Sequence, residues 1–256
     1  MSELLSDIQD LLRQEQALFG EVLLHDDHPS KKESAVTKQK PPAADEPLLF
    51  ELPTPSPGSI TTEPWGNAVT VTELDEQINT CMKCSLGQTR TRFVFGVGNP
   101  NATLMVIGEA PGADEDAQGE PFVGRAGQLL NKILEAIKFR REEVYICNIL
   151  KCRPPNNRKP LPEEAELCIP YLRKQIALVK PRVILCLGLT AAEYLLGTRE
   201  SLGQLRGRVM EYEGTPLMVT YHPAALLRNP NWKRPTWEDV QALRKLHDEL
   251  ATKNPK

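Results

Sequence analysis

Short apolar runs without polar alternation recur from about residue 100 onward. Such runs are typical of strands that are buried on both faces of a parallel sheet. Four are present, at Thr103–Ile107, Val144–Ile149, Arg182–Leu187 and Leu217–Tyr221. Segments with helical spacing separate or follow them, at Ala126–Ile137, Pro162–Val179, Thr190–Leu196 and Trp237–Leu250. This alternation predicts an α/β fold with a parallel sheet covered on both faces.

The pattern divides the chain into three predicted segments. Residues 1–26 place apolar side chains at roughly helical spacing and predict a short N-terminal helix. Residues 27–68 are rich in proline, serine, threonine and charged side chains, which predicts a disordered linker. Residues 69–256 carry the α/β pattern and form the predicted folded domain.

Charge is distributed unevenly along the chain. The net charge of the 256 residues is −3, which by itself argues against a nucleic-acid partner. Residues 1–66 hold 12 acidic and 5 basic side chains, whereas residues 67–256 hold 22 acidic and 26 basic ones. The folded segment is therefore mildly basic, and its charge permits binding to DNA without requiring it.

The chain has no apolar run near the ~20 residues that a membrane span needs. Its first ten residues have neither the basic region nor the apolar region of a secretory signal. We therefore expect a cytoplasmic protein without membrane association. Cysteines in such a protein bind metals or pack in the core more often than they form disulfides.

Four of the six cysteines are candidate metal ligands. Cys81 and Cys84 form a C-x2-C pair, and Cys152 and Cys168 are separated by 15 residues. The spacing leaves a zinc site, an iron–sulfur cluster and unliganded thiols open. Cys147 and Cys186 lie within apolar strands, where we expect inert core residues.

Polar or flexible residues follow each predicted strand. Gly108-Glu109, Asn148, Gly188 and His222 stand at the four strand ends, which meet at one edge if the strands are parallel. Asn148 offers an acceptor and two donors, which suit the edge of a base or an amide. Each residue alone also has a structural interpretation, such as a turn or a helix start. Their coincidence at four strand ends predicts a site.

Two loops beside these strand ends add candidate contacts. Phe122 stands just before a predicted helix, where its ring either stacks on a planar ligand or closes the helix as a hydrophobic staple. The segment His222–Arg228 combines apolar residues with a cation, as in loops that wedge into duplex DNA. Its alternative role is the first turn of a packed helix. Lys151 and Arg153 lie in a proline-rich basic loop suited to phosphate contact, or simply to solvent.

Together these features resemble one protein family, the family 4 uracil-DNA glycosylases, over roughly Glu73–Leu250. The similarity rests on the four cysteines and on ordered motifs: Gly108-Glu-Ala-Pro-Gly112 with Glu115-Asp116, Gly119-Glu-Pro-Phe-Val-Gly124, Asn148-Ile-Leu-Lys-Cys-Arg-Pro-Pro155 and His222-Pro-Ala-Ala-Leu-Leu-Arg228. The resemblance implies a three-layer α/β/α sandwich around a four-stranded parallel sheet. It also implies a [4Fe–4S] cluster bound by Cys81, Cys84, Cys152 and Cys168.

The resemblance further implies roles for individual side chains. Gly108, Glu109 and Ala110 would line a uracil pocket, Phe122 would stack on the base, and Asn148 would read its edge. His222 would contact a uracil carbonyl oxygen, and Arg228 would belong to the loop that enters DNA. Lys151 and Arg153 are further DNA-binding candidates.

The expected activity is excision of uracil from DNA by hydrolysis of its N-glycosidic bond, which leaves an abasic site for base excision repair. Better-known uracil glycosylases of other families carry a water-activating Asp or Asn where this chain has Ala110. The candidate catalytic residues are therefore His222, Glu109 and Glu115. Two alternatives stay open, a DNA-lesion-binding protein without catalysis and a zinc-stabilised hydrolase of small nucleotides.

The N-terminal segment has either a recruiting role or no partner. Gln16-Ala-Leu-Phe19 is similar to short peptides that bind bacterial sliding clamps, although four residues carry little information. A replication or repair protein is therefore one possible partner of this segment. We expect the enzyme itself to be a monomer.

Overall fold

The computed structural model describes residues 63–253 of the chain. All of them lie in one unit, which spans residues 57–256. A six-stranded sheet in the order β1-β3-β2-β4-β6-β5 runs through this part of the chain. The strands are β1 (Val97–Gly98), β2 (Leu104–Gly108), β3 (Tyr145–Asn148), β4 (Val183–Leu187), β5 (Met210–Tyr212) and β6 (Thr215–Thr220).

The four central strands confirm the predicted parallel sheet. β3, β2, β4 and β6 pair in parallel, and each corresponds to one of the apolar runs within two residues at either end. β1 and β5 add antiparallel edges that the sequence analysis missed. These edge strands are two and three residues long, too short for an apolar run to reveal them.

Nine α-helices accompany the sheet in the described residues. They are α1 (Val71–Ile78), α2 (Leu86–Thr89), α3 (Ala113–Gln118), α4 (Arg125–Ala136), α5 (Pro162–Val179), α6 (Leu189–Leu196), α7 (Leu202–Leu205), α8 (Pro223–Arg228) and α9 (Lys233–Lys253). The predicted helix Pro162–Val179 matches α5 at both ends. The other three predicted helices correspond to α4, α6 and α9, whose ends lie up to four residues away.

The helices cover both faces of the sheet, as the predicted three-layer sandwich requires. On one face, Met105 and Ile107 of β2 share a core with α5 and α6. Leu104 and Val106 are equally buried, and the alternation of a strand directs them to the opposite face. The connection from β2 to β3 runs along the sheet in one direction, and the connection from β4 to β6 runs in the opposite direction. Because such crossovers are right-handed, α4, which lies between β2 and β3, packs on the second face, opposite α6.

The parallel register aligns the strand ends that carry the candidate residues. Gly108 at the end of β2 pairs with Asn148 at the end of β3. Leu187 of β4 pairs with Thr220 of β6, two residues before His222. Residues that follow these strands therefore emerge at the same edge of the sheet.

Packed structure is present just before residue 69, the predicted start of the folded domain. Pro64–Asn67 form a 3-10 turn, and Trp65 packs edge-on against Tyr171 of α5 with ring centroids 4.9 Å apart. A single aromatic anchor in a polar stretch has no periodicity, so the sequence pattern did not reveal it. The predicted helix at 1–26, the rest of the predicted linker and the Gln16–Phe19 motif lie outside the described residues. Within residues 63–253, no helix combines the length and apolar character that crossing a membrane requires.

Candidate active site

A pocket of about 360 Å³ opens at the carboxyl edge of the sheet. Residues from four separate parts of the chain line it: Glu109, Ala110, Pro111, Gly112 and Glu115 after β2, Phe122 and Ala126 before and within α4, Asn148, Pro154, Asn157 and Arg158 at and after β3, and His222, Ala224 and Arg228 after β6. The structure thus brings together most of the residues that the sequence analysis singled out. Gly188 lies behind the pocket, where a side chain would approach the Cβ atom of His222 within 3.3 Å.

Asn148 presents an unsatisfied acceptor at this pocket. Its side chain is 2% exposed, and no described residue donates a hydrogen bond to its buried Oδ1 atom. A buried acceptor without a partner costs about 1–3 kcal/mol. A buried acceptor without a partner is expected at a binding site, where the bound ligand supplies the missing donor.

The ring of Phe122 forms one wall of the pocket beside Asn148. Phe122 has a φ of +54°, a left-handed conformation that costs a non-glycine residue about 1–2 kcal/mol. Its ring lies 5.4 Å from that of His222, at an interplanar angle of 32°. A Cβ atom on Gly108 would come within 2.6 Å of this ring and 2.4 Å of Asn148 Oδ1. Only glycine at residue 108 leaves room for both side chains.

His222 enters the pocket as a neutral hydrogen-bond donor. It caps the N-terminus of α8, where its Nδ1 atom accepts a 3.2 Å hydrogen bond from the backbone amide of Ala224. Burial lowers the pKa of His222 to about 4, and the positive charge of Arg228 acts in the same direction. Because Nδ1 is an acceptor, the single proton of the neutral ring resides on Nε2.

The two candidate carboxylates have different surroundings. Glu115 accepts hydrogen bonds from three backbone amides, those of Gly112 (3.0 Å), Val123 (3.0 Å) and Gly124 (3.1 Å). Glu109 lines the same pocket, and no described residue forms a hydrogen bond or ion pair with its carboxylate. Of the two carboxylates, Glu109 is therefore the one whose oxygen atoms are available to a water molecule.

The prediction that Lys151 contacts DNA is wrong. Its side chain is fully buried, and its ammonium donates to the backbone carbonyl of Asn148 (2.8 Å) and to the side chain of Gln175 (2.6 Å). The basic character of the loop concealed this inward orientation. Lys151 instead supports the backbone of the residue that faces the pocket.

Three other cations lie nearer the surface around the pocket. Arg228 is exposed at its rim, whereas Arg153 donates to the side chain of Asn157 at 2.8 Å. Arg158 also lines the pocket, and both of its terminal nitrogens donate to the buried carboxylate of Glu164 (2.8 and 2.6 Å). The sequence pattern did not reveal this ion pair, because the carboxylate lies on a different element, α5.

The four candidate cysteine ligands interact with one another electrostatically. Burial raises the pKa of Cys152 to about 11, with the thiols of Cys84 and Cys81 acting in the same direction and the hydrogen bond and charge of Arg90 acting against it. Burial also raises the pKa of Cys168 to about 12, while the ammonium and the backbone amide of Lys151 lower it and the thiols of Cys152 and Cys81 raise it. Four thiols from three segments thus face a common region.

Two of these thiols have hydrogen-bond donors beside their sulfur atoms. Among residues 63–253, no three His, Cys, Asp or Glu side chains are grouped closely enough to hold a single ion. Four cysteines and donors beside their sulfurs, at Tyr171 (3.3 Å from Cys81 Sγ) and Arg90 (3.3 Å from Cys152 Sγ), are compatible with an iron–sulfur cluster.

Comparisons with known proteins agree with this geometry. A family model described as the Uracil DNA glycosylase superfamily matches residues 95–246. A type-4 uracil-DNA glycosylase of Archaeoglobus fulgidus is 43% identical over 182 residues, which cover 68% of this chain and 92% of the relative. The type-4 enzyme of Pyrobaculum aerophilum is 48% identical over 168 residues, covering 62% and 85% of the two chains. That of Thermotoga maritima is 42% identical over 172 residues, covering 66% and 90%.

We expect His222 to remain neutral until the pH falls to about 4. The unfolded chain takes up the same proton near the ordinary value of 6.5, so folding stability should decrease as the pH falls from 6.5 towards 4. Replacing Arg228 with Met should raise the pKa of His222, because it removes a nearby positive charge. Nitrogen NMR of the imidazoles measures this, with His247 as an internal control. A His222 midpoint near 6.5 would contradict its burial beside a cation.

Proposed function

The chain belongs to the uracil DNA glycosylase superfamily as one of its type-4 enzymes, and we propose how its pocket performs the reaction. It is a uracil-DNA glycosylase, which excises uracil from DNA in repair. The alternative of a lesion binder without catalysis is not favoured, since these relatives, which the chain covers over 85–92% of their length, are named as glycosylases. We propose roles for single residues and for the cofactor.

The buried, unpartnered Oδ1 atom of Asn148 carries the proposal for base recognition. Uracil offers a donor at N3–H, which we assign to this oxygen, and an acceptor at O4, which we assign to the amide nitrogen of Asn148. Cytosine presents the reverse pattern, an acceptor at N3 and a donor amine at C4. A site that leaves buried polar groups mispaired rejects the wrong ligand by factors of ~10⁴ or more.

Phe122 and Gly108 shape the pocket for a planar base. The Phe122 ring is 5% exposed and lies beside Asn148, so a flipped base that meets Asn148 with its edge can stack on this ring. Ala110, with its short side chain, lies on the same loop as Glu109 and leaves room in the pocket.

His222 stabilises the leaving base. Cleavage of the glycosidic bond places negative charge on uracil and positive character on the sugar. The Nε2–H group of a neutral imidazole can donate to uracil O2 as that oxygen gains charge, in the manner of an oxyanion hole. A donor in a water-poor pocket needs no reorientation during the reaction, and the Ala224 amide fixes the ring in advance.

Glu109 is the proposed partner of the sugar and of the attacking water. Its carboxylate lines the pocket, and no described residue binds it, so it is available to orient a water molecule. Its negative charge also favours the cationic sugar. This assignment fills the role that the side chain of Ala110 cannot perform.

Contacts with DNA phosphates fall to cations near the surface. Arg228 at the pocket rim and Arg153 on the loop after β3 are the proposed phosphate contacts. Leu227 of α8, which is 41% exposed beside Arg228, is placed to occupy the space that a flipped nucleotide vacates.

Cys81, Cys84, Cys152 and Cys168 are the proposed ligands of a [4Fe–4S] cluster. When bound, the cluster would supply cross-links between the segment before β1, the loop after β3 and α5. Cys152 lies four residues after Asn148, so the same cross-links hold the loop that follows the base-reading residue.

We expect His222→Ala to slow uracil release by a factor of ~10²–10³, the usual cost of one lost donor at a charged transition state. The measurement is single-turnover cleavage of a duplex with one uracil, read as alkali-labile strand breaks. Affinity for a duplex with an uncleavable abasic analogue should stay unchanged. Near-normal release by the variant would remove His222 from the mechanism.

We expect Glu109→Gln to slow the same single-turnover reaction by ~10² or more, because an amide neither orients water as a base nor stabilises a cationic sugar. Glu135→Gln is the matched control, since Glu135 is exposed on α4 away from the pocket. Equal rates for the Glu109 variant, the control and the native protein would rule out this role.

We expect anaerobically purified protein to contain iron and acid-labile sulfide, and Cys152→Ala to lose both. Cys186→Ala is the matched control, because Cys186 is fully buried within β4 and outside the proposed ligand set. Elemental analysis and sulfide assays measure both contents. Stoichiometric zinc, or equal loss in the two variants, would contradict the proposed cluster.

A further inference from the structure

Phe122 is held in its left-handed conformation by groups on both sides of it along the chain. Its φ of +54° is unfavourable for an aromatic residue, so the surrounding structure must impose it. This matters for the proposed function, in which the ring stacks on uracil. The residues that impose the conformation therefore bear on recognition of the base.

Glu115 fixes the backbone immediately after Phe122. Its Oε1 atom accepts from the amides of Val123 (3.0 Å) and Gly124 (3.1 Å), the next two residues. The Oε2 atom accepts from the amide of Gly112 at 3.0 Å, at the start of α3. One carboxylate thus joins the loop after β2 to the loop that carries the ring.

Arg141 fixes the backbone immediately before Phe122. One of its terminal nitrogens donates to the carbonyl of Pro121 at 2.6 Å, and the other donates to the side chain of Asn131 on α4 at 3.1 Å. Burial lowers the pKa of this arginine, whereas the carboxylates of Glu120 and Glu115 raise it. Its side chain therefore lies partly inside the protein with two specific acceptors.

Close packing leaves Phe122 no freedom to relax. A Cβ atom on Gly127 of α4 would lie 1.8 Å from the carbonyl oxygen of Phe122, so the helix contacts this backbone directly. On the pocket side, the Phe122 ring lies so close to Gly108 that a Cβ atom on that residue would be 2.6 Å from the ring. The peptide units before and after the residue are both bound, and the ring is packed against Gly108.

We propose that Glu115 and Arg141 are positioning residues that hold the Phe122 ring in place for stacking on uracil. Glu115 then acts through Phe122 and not on the attacking water, although it lines the pocket. The assignment of Arg141 is new, because it lies outside the pocket and comes from a 3-10 turn before β3. This role rests on the proposed function, and its test is designed to separate the two.

A double-mutant cycle tests whether Arg141 acts through the ring. We expect Arg141→Met to slow single-turnover uracil release about 10-fold when Phe122 is present. In a Phe122→Leu background the same substitution should change the rate less than 2-fold, because no ring remains to be positioned. Equal factors in the two backgrounds would overturn the proposal for Arg141.

Binding measurements separate positioning of the ring from a general structural role. Arg141→Met should raise the inhibition constant of free uracil about 10-fold, and Phe122→Leu should raise it by a comparable factor. Affinity for a duplex with a tetrahydrofuran abasic site should stay within 2-fold, because this probe has no base. A parallel loss of affinity for the abasic duplex would show that Arg141 supports the DNA surface instead, which contradicts the proposal.

Two further variants guard against misfolding. Arg140→Met is the matched control. Arg140 directly precedes Arg141, is exposed, and pairs with Glu142 and Glu143. Arg141→Lys keeps the charge but lacks the planar guanidinium that donates to both Pro121 and Asn131. It should show a smaller loss of rate and a smaller rise in the inhibition constant than Arg141→Met. If Arg141→Met does not melt cooperatively, the cycle is run with Arg141→Lys.

Glu115→Gln completes the test in the same two backgrounds. A positioning role predicts a rate loss of about 10-fold with Phe122 and less than 2-fold with Leu at that residue. A base that activates water would cost the same factor in both, and the pH dependence of the rate would change. Failure of the native protein to release uracil would refute the proposed function, whereas release with additive losses refutes only this inference.

Discussion

The absence of a side chain at Gly108 is the constraint on which the pocket depends. This residue ends the central strand β2, pairs with Asn148 in the sheet, and lies against the ring of Phe122. A methyl group there would meet Asn148 Oδ1 at 2.4 Å, closer than real atoms approach. The side chains proposed to read the edge of the base and to stack on its face therefore converge on a space that only glycine leaves empty.

The pocket combines polar groups that are fixed before the substrate arrives. Asn148 has a buried oxygen to which no residue of 63–253 donates, and His222 has a neutral ring oriented by the Ala224 amide. In water both groups would be solvated and free to turn. In the proposed function both groups face the flipped base, so little reorganisation would remain for the chemical step.

The sequence was informative where a residue acts through its place on a strand. The apolar runs predicted the four parallel strands, and their ends predicted that Glu109, Asn148 and His222 lie together. The sequence did not reveal contacts between residues that are far apart along the chain, and for one of them it was misleading. Lys151 looked like a solvated cation until Gln175 of α5 proved to be its partner. The three amides bound by Glu115 come from two loops, which no periodicity brings together.

The buried position of Lys151 has a consequence for how this domain tolerates change. Its ammonium holds the backbone of Asn148, while its charge and backbone amide also act on the sulfur of Cys168. One residue thus joins the surroundings of Asn148 and of Cys168. If, as proposed, Asn148 reads the base and Cys168 binds the cluster, these two parts of the molecule are constrained to vary together.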